Sequence, residues 1–131
     1  MAIIGKKALA AGANMHIMTS ALDIAHDLMI PAIEKGRFKK VILCLCPFSI
    51  QAIILPLLIC GIRGYLIEYS SGNCRYYQEW LLADRGIKRE MTTLLPEAYE
   101  KILSLLDLWA LSGSSCRRFQ REGNIYAPAK M

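Results

Sequence analysis

The pattern of apolar and polar positions is dominated by one uncharged block, Val41 to Ile62, which reads VILCLCPFSIQAIILPLLICGI. About 22 residues without a charge would extend roughly 33 Å as a helix, enough to cross a bilayer core. Phe38, Lys39 and Lys40 precede the block, and Arg63, Tyr65 and Tyr69 follow it, as interfacial anchors would. The pattern therefore predicts one transmembrane helix over 41–64. Pro47 and Pro56 kink it by freeing the carbonyls of Leu43 and Ala52. Cys44, Pro47 and Gln51 recur at three- and four-residue spacing, and with Gly61 they form a candidate helix-packing face.

On the N-terminal side, Leu9, Ala13, Ile17, Ile24 and Leu28 keep a helical period, with Asp23 and Asp27 on another face. This predicts an amphipathic helix from Lys6 to about Ile30, ended by Pro31 and lying on a membrane or partner surface. A basic connector with Lys35, Arg37, Lys39 and Lys40 leads into the block. Beyond it, Tyr65 to Asn73 closes on the turn-like SSGN, and a helix is expected over about 74–85, stopped by Gly86. Pro96 suits a first helical position and Gly113 a C-terminal cap, which predicts another helix between them. Its apolar residues cover more than one face, so a subunit partner or the amphipathic N-terminal helix is expected to cover them, with the membrane surface as the fallback, and Leu105, Leu108 and Trp109 are candidate partner contacts. The remainder, with Arg117, Arg118 and Arg121, reads as an extended basic tail.

The fold class expected from this pattern is all-α: a small integral membrane protein with one kinked transmembrane helix, an N-terminal amphipathic helix and C-terminal extramembrane helices. The corresponding segments are 1–40, 41–64, 65–113 and 114–131. A competing reading makes FKKVILCLC a buried strand stopped by Pro47, followed by a core helix of a soluble α/β domain spanning 41–62. A parallel sheet needs a second strand, and the pattern offers no convincing one.

Composition adds to this picture in three ways. The 131-residue chain is 54% hydrophobic and 21% charged, with mean hydropathy +0.30, richer in apolar residues than an ordinary soluble domain. The net charge of +5 is spread along the chain, not gathered in a stripe, so no nucleic-acid partner is expected. Lys39, Lys40, Arg117 and Arg118 are instead candidate contacts to lipid or partner phosphates. The basic connector places the N-terminus on the matrix or cytoplasmic side.

Candidate chemistry is sparse. Five cysteines show no zinc-like spacing. Cys44, Cys46 and Cys60 read as small hydrophobes of the span, which leaves Cys74 and Cys116 as a possible disulfide. His16 and His26, on one expected helix, would stand about 80° and roughly 15 Å apart, too far to share a metal ion. No catalytic, metal or cofactor site is expected, and the chain is not read as an enzyme. The layout is similar to that of small supernumerary subunits of respiratory complexes. This likeness of layout implies a non-catalytic accessory subunit that packs against other membrane-protein subunits and phospholipid, in the mitochondrial inner membrane. The alternatives are a self-assembling, holin-like permeabilising protein and the α/β domain with its buried strand and helix.

Overall fold

A computed structural model describes residues 2–18, 21–111, 118–123 and 125–129. In chain order they form α1 (Ala2–Ala10), β1 (Met15–His16), α2 (Ala21–Ile24), a π-helical turn (Ala25–Met29), α3 (Ile30–Lys35), β2 (Lys40–Leu45) and α4 (Pro47–Ile59). There follow β3 (Arg63–Glu68), α5 (Tyr77–Asp84), α6 (Pro96–Leu111), β4 (Phe119–Glu122) and β5 (Ile125–Pro128). The fold is mixed α/β, with five strands in two sheets, and the all-α expectation is wrong.

The chain divides into two compact units, Met18–Leu95 and the paired ends Met1–Ile17 with Pro96–Met131. The Met18–Leu95 unit is built on a β2-α4-β3 crossover with the strands parallel and in register from Lys40 opposite Arg63 to Leu45 opposite Glu68. The uncharged block is thus cut in two at Pro47. A residue before proline is pushed out of the helical region, and Cys46 accordingly sits at φ −67°, ψ 146°, extending β2 while Pro47 opens α4. Val41 and Ile42, β-branched, suit the strand half. Gly61, at φ 68°, ends the helix in the left-handed region and turns the chain into β3.

Two consequences follow for the expected span. α4 has 13 residues, which is about 20 Å of helix against a hydrocarbon core of roughly 30 Å. No described helix is long and apolar enough to cross a membrane. The transmembrane helix at 41–64 is not formed, and this argues against the integral and inner-membrane placement and removes the basis for the orientation drawn from it.

Leu43 and Leu45 point from β2 into a core shared with Ile53 and Leu57 of α4, Ile62, and Ile24 and Leu28. Ile24 and Leu28 stay on one side although the helix carrying them is interrupted. The Ile30 amide reaches back to the Ala25 carbonyl, a wider turn than the α-helical one. The helix then continues through Pro31 to Lys35 and ends at Gly36, φ 62°, where the sequence pattern places its end at Ile30.

In the other unit, α1 packs on α6, and β5 pairs antiparallel with both β1 and β4. Ala8, Ile102 and Leu106 are buried there, Ile102 to 1% exposure. Gly5 faces Met15 so closely that a Cβ would lie 2.5 Å from its sulfur. The expected single amphipathic helix is therefore two structures: α1 turns at Gly12, φ 78°, into β1, and His16 and His26 fall in different units.

Candidate functional site

Parallel βαβ units gather loops at the carboxyl ends of their strands, the usual place for ligands in open α/β sheets. Here that end holds Cys46, at the head of α4, and the loop after β3. The Tyr69 amide continues the ladder to the Leu45 carbonyl (3.1 Å), and the Asn73 amide side chain donates to the Tyr69 carbonyl (2.6 Å). Ser70 donates its amide to the Thr93 carbonyl (2.8 Å), and the Thr93 amide donates to Ser71 (3.2 Å). Gly72, at φ 73°, lies against the Met91 backbone with no room for a Cβ. These contacts fix the loop. Burial, then the neighbouring Cys46, pushes the Cys74 thiol above its ordinary value. Burial also raises Cys44 and Tyr69.

Beside this loop is a cavity of about 150 Å³ lined by Asn73, Cys74, Arg75, Glu79, Leu82 and Lys88 among others. Four of its charged residues are paired within the protein. Arg75 faces Glu90 at 3.8 Å, Arg89 faces Glu79 at 3.9 Å, and Glu79 also accepts the Arg75 amide at 2.8 Å. No histidine lines it, and no nucleophile stands against a base. Among the described residues no group of three or more metal-ligating side chains converges. The arrangement supports a braced loop more than a catalytic centre.

The second feature is α4 itself. Ile50, Ile53, Leu57 and Cys60 turn one stripe to the core, as a 3.6-residue period requires. Phe48 meets Trp80 of α5 with ring centroids 6.3 Å apart. The outward positions are nonetheless apolar: Leu55, Leu58 and Ile59 are 64%, 67% and 75% exposed, and Ile54 is also exposed. At the C-terminal end of this face the Arg63 amide donates to the Lys39 carbonyl (3.0 Å), which brings the exposed Lys39, Lys40 and Arg63 to one corner. Arg37 joins them, its guanidinium 4.6 Å from the centre of the Phe38 ring. Phe38 holds this corner at φ 58°, a conformation that costs a non-glycine residue about 1 kcal/mol or more. Its ring packs on the core.

The residues singled out in the sequence are distributed as follows. Cys44 lies mid-strand and half-buried, whereas Pro47 and Gln51 lie exposed on α4 and Gly61 beyond its end. They do not form one helix face, because Pro47 separates strand from helix. Leu108 is exposed on α6, and Leu105 and Trp109 are half-buried. Lys39 and Lys40 stand at the cationic corner, and Arg118 is exposed, its carbonyl accepting the Ala129 amide at 3.0 Å. Arg117, Cys116 and Gly113 lie outside the described residues, so the Cys74–Cys116 pairing does too. Cys74 instead lies in the loop after β3, at the same end of the crossover as Cys46. Sequence reasoning missed that placement because it depends on β3, whose only signal is the short run RGYLIE with a glycine in it.

No family model, curated protein or solved structure matches this chain.

Proposed function

We propose that the chain is a non-catalytic association module, and that its Met18–Leu95 unit docks an acidic, apolar protein surface through the outer face of α4 and the cationic corner beside it. The observation that carries this reading is an outward stripe of α4, Leu55, Leu58 and Ile59, that is apolar and uncovered, at the C-terminal end of the helix where the chain turns to the corner of Lys39, Lys40 and Arg63. Outward positions of a surface helix are normally polar, and an apolar stripe there is normally covered. Covering Ile54, Leu55, Leu58 and Ile59 would contribute on the order of 5 kcal/mol before the costs of association. None of the ion pairs found among the described residues engages the corner cations, so carboxylates of a partner would meet them and set orientation and association rate. A protein fits better than a lipid surface for one further reason. β2 and β3 have no other strand partner among the described residues, and only another backbone can pair such edges.

The test uses the full chain and two synthetic helical peptides with the same leucine stripe, one flanked by glutamates and the other by lysines, alongside anionic phospholipid vesicles. Binding is read by fluorescence anisotropy or vesicle sedimentation. The glutamate peptide is expected to bind, more weakly at high salt, and to lose at least about tenfold in affinity with Leu55→Gln/Leu58→Gln or with Lys39→Glu/Lys40→Glu. Equal binding of both peptides, binding to vesicles only, or self-association burying the same face would overturn the reading.

A further inference from the structure

We infer that the cavity beside the loop after β3 binds a small carboxylic acid that has a short apolar body and an N–H or O–H donor. This goes beyond the docking role and rests on different residues, all between Gly72 and Glu90. The volume of about 150 Å³ matches that of an apolar cavity able to take benzene. A branched alkyl group or a single ring is therefore the right size.

The wall defines the rest of the ligand. Leu82, Ala83 and Ile87 give it an apolar side, and Leu82 and Ile87 are 43% and 59% exposed, so that surface is open to be covered. Asn73 supplies an acceptor. Its Nδ2 donates to the Tyr69 carbonyl at 2.6 Å, and its Oδ1 is buried with no donor among the described residues. Turning the amide over would set Oδ1 against the Tyr69 carbonyl, acceptor against acceptor. Buried acceptors are nearly always satisfied, and an N–H or O–H on the ligand supplies what the chain does not.

Charge selects the remaining group. Arg75, Lys88 and Arg89 line the cavity with Glu79 and Glu90, a surplus of one positive charge. Arg75 faces Glu90 and Arg89 faces Glu79, whereas Lys88 makes no hydrogen bond or ion pair among the described residues. Cys74, held protonated by burial, adds no charge. One carboxylate on Lys88 balances the surplus. A phosphate dianion brings a second negative charge towards Glu79 and Glu90, which repel it. In the bound arrangement the carboxylate meets Lys88, the alkyl body lies on Leu82, Ala83 and Ile87, and the donor reaches Asn73 Oδ1.

The experiment titrates the folded full chain with N-acetyl-L-leucine and with 2-hydroxy-4-methylpentanoic acid, read by calorimetry and by backbone amide chemical shifts. Saturable one-to-one binding in the millimolar range or tighter is expected, with shifts centred on the cavity residues. Methylating the amide nitrogen of N-acetyl-L-leucine removes the donor, and converting its carboxylate to a neutral amide removes the charge. Each change should weaken binding at least about tenfold. Lys88→Met should weaken the acids to the same degree and leave the neutral amide unaffected. Ile87→Glu should abolish binding of both acids. Both positions are exposed, and the comparison of analogues on the wild-type chain decides even where a variant fails to fold. No saturable binding of either acid up to about 10 mM, equal affinity for the methylated or neutral analogue, tighter binding of inorganic phosphate, or shifts centred on Lys39 and Lys40 instead of the cavity, would each overturn the inference.

Discussion

Gly64 lies directly opposite Val41 in the parallel β2–β3 pair, and a Cβ built on it would strike the Val41 carbonyl group. The obstacle is backbone, which cannot rotate aside as a side chain can. Gly64→Ala must therefore separate the strands, and a loss of about 2–4 kcal/mol is expected in urea unfolding. Gly61 provides the comparison. A Cβ there meets open space, and only its φ of 68° opposes a side chain, so Gly61→Ala should cost only about 1 kcal/mol.

That glycine also explains which half of the crossover was legible. Pro47 cuts the uncharged block into strand and helix by a local rule, so the strand-then-helix reading of 41–62 could be reached from sequence. β3 could not, because Gly64 lowers strand propensity, and the close approach that requires it appears only once β2 is alongside. Length misled in the same way: 22 uncharged residues suit a span only if Pro47 and Gly61 leave the helix intact. The pairing of α1 with α6 was legible only as apolar surface on the helix after Pro96 that either a subunit partner or the N-terminal helix had to cover; the Lys7–Asp107 contact across 100 positions had no local signal. At the candidate site, Lys39 and Lys40 were visible as charges, but the corner they form with Arg63 depends on β3.

Lys7 and Asp107 make a 2.6 Å ion pair with side chains 38% and 65% exposed. Such a pair is screened by water and contributes about 0–1 kcal/mol. Lys7→Met should therefore leave the unfolding midpoint nearly unchanged. Ile102, buried to 1% exposure on α6, should lose about 2–5 kcal/mol on truncation to alanine. Urea titration of both variants checks the ranking.

Alkaline pH should destabilise the Met18–Leu95 unit. Cys44 and Cys74 are raised from 9.0 and Tyr69 from 10.0, in each case chiefly by burial. The unfolded chain therefore releases these protons first. The stability associated with the neutral forms is fully present below about pH 9, and is lost as pH climbs from the unfolded values through the raised folded ones. Under reducing conditions, melting temperature should be flat below that range and fall above it. Cys74→Ser should make the fall shallower, and a fall that begins near neutrality would contradict the assignment.

Leu57 and Leu58 are adjacent on α4 and should respond in opposite ways. Leu57 is 6% exposed and touches the core shared with Leu43 and Ile53, so Leu57→Ala should cost about 2–5 kcal/mol. Leu58 is 67% exposed, and Leu58→Gln should change stability by no more than about 0.5 kcal/mol. Stability alone thus gives no reason for a leucine at 58, or for Leu55 and Ile59 along the same outer stripe. A docking role gives one: the glutamine variants should fold like the wild type yet lose affinity for the acidic helical peptide. If Leu58→Gln instead unfolds the chain, its side chain is needed within the fold and the outer face of α4 is not a docking surface. The decisive measurement is therefore peptide affinity at matched stability, with Leu57→Val as the control that weakens the core while leaving the surface intact.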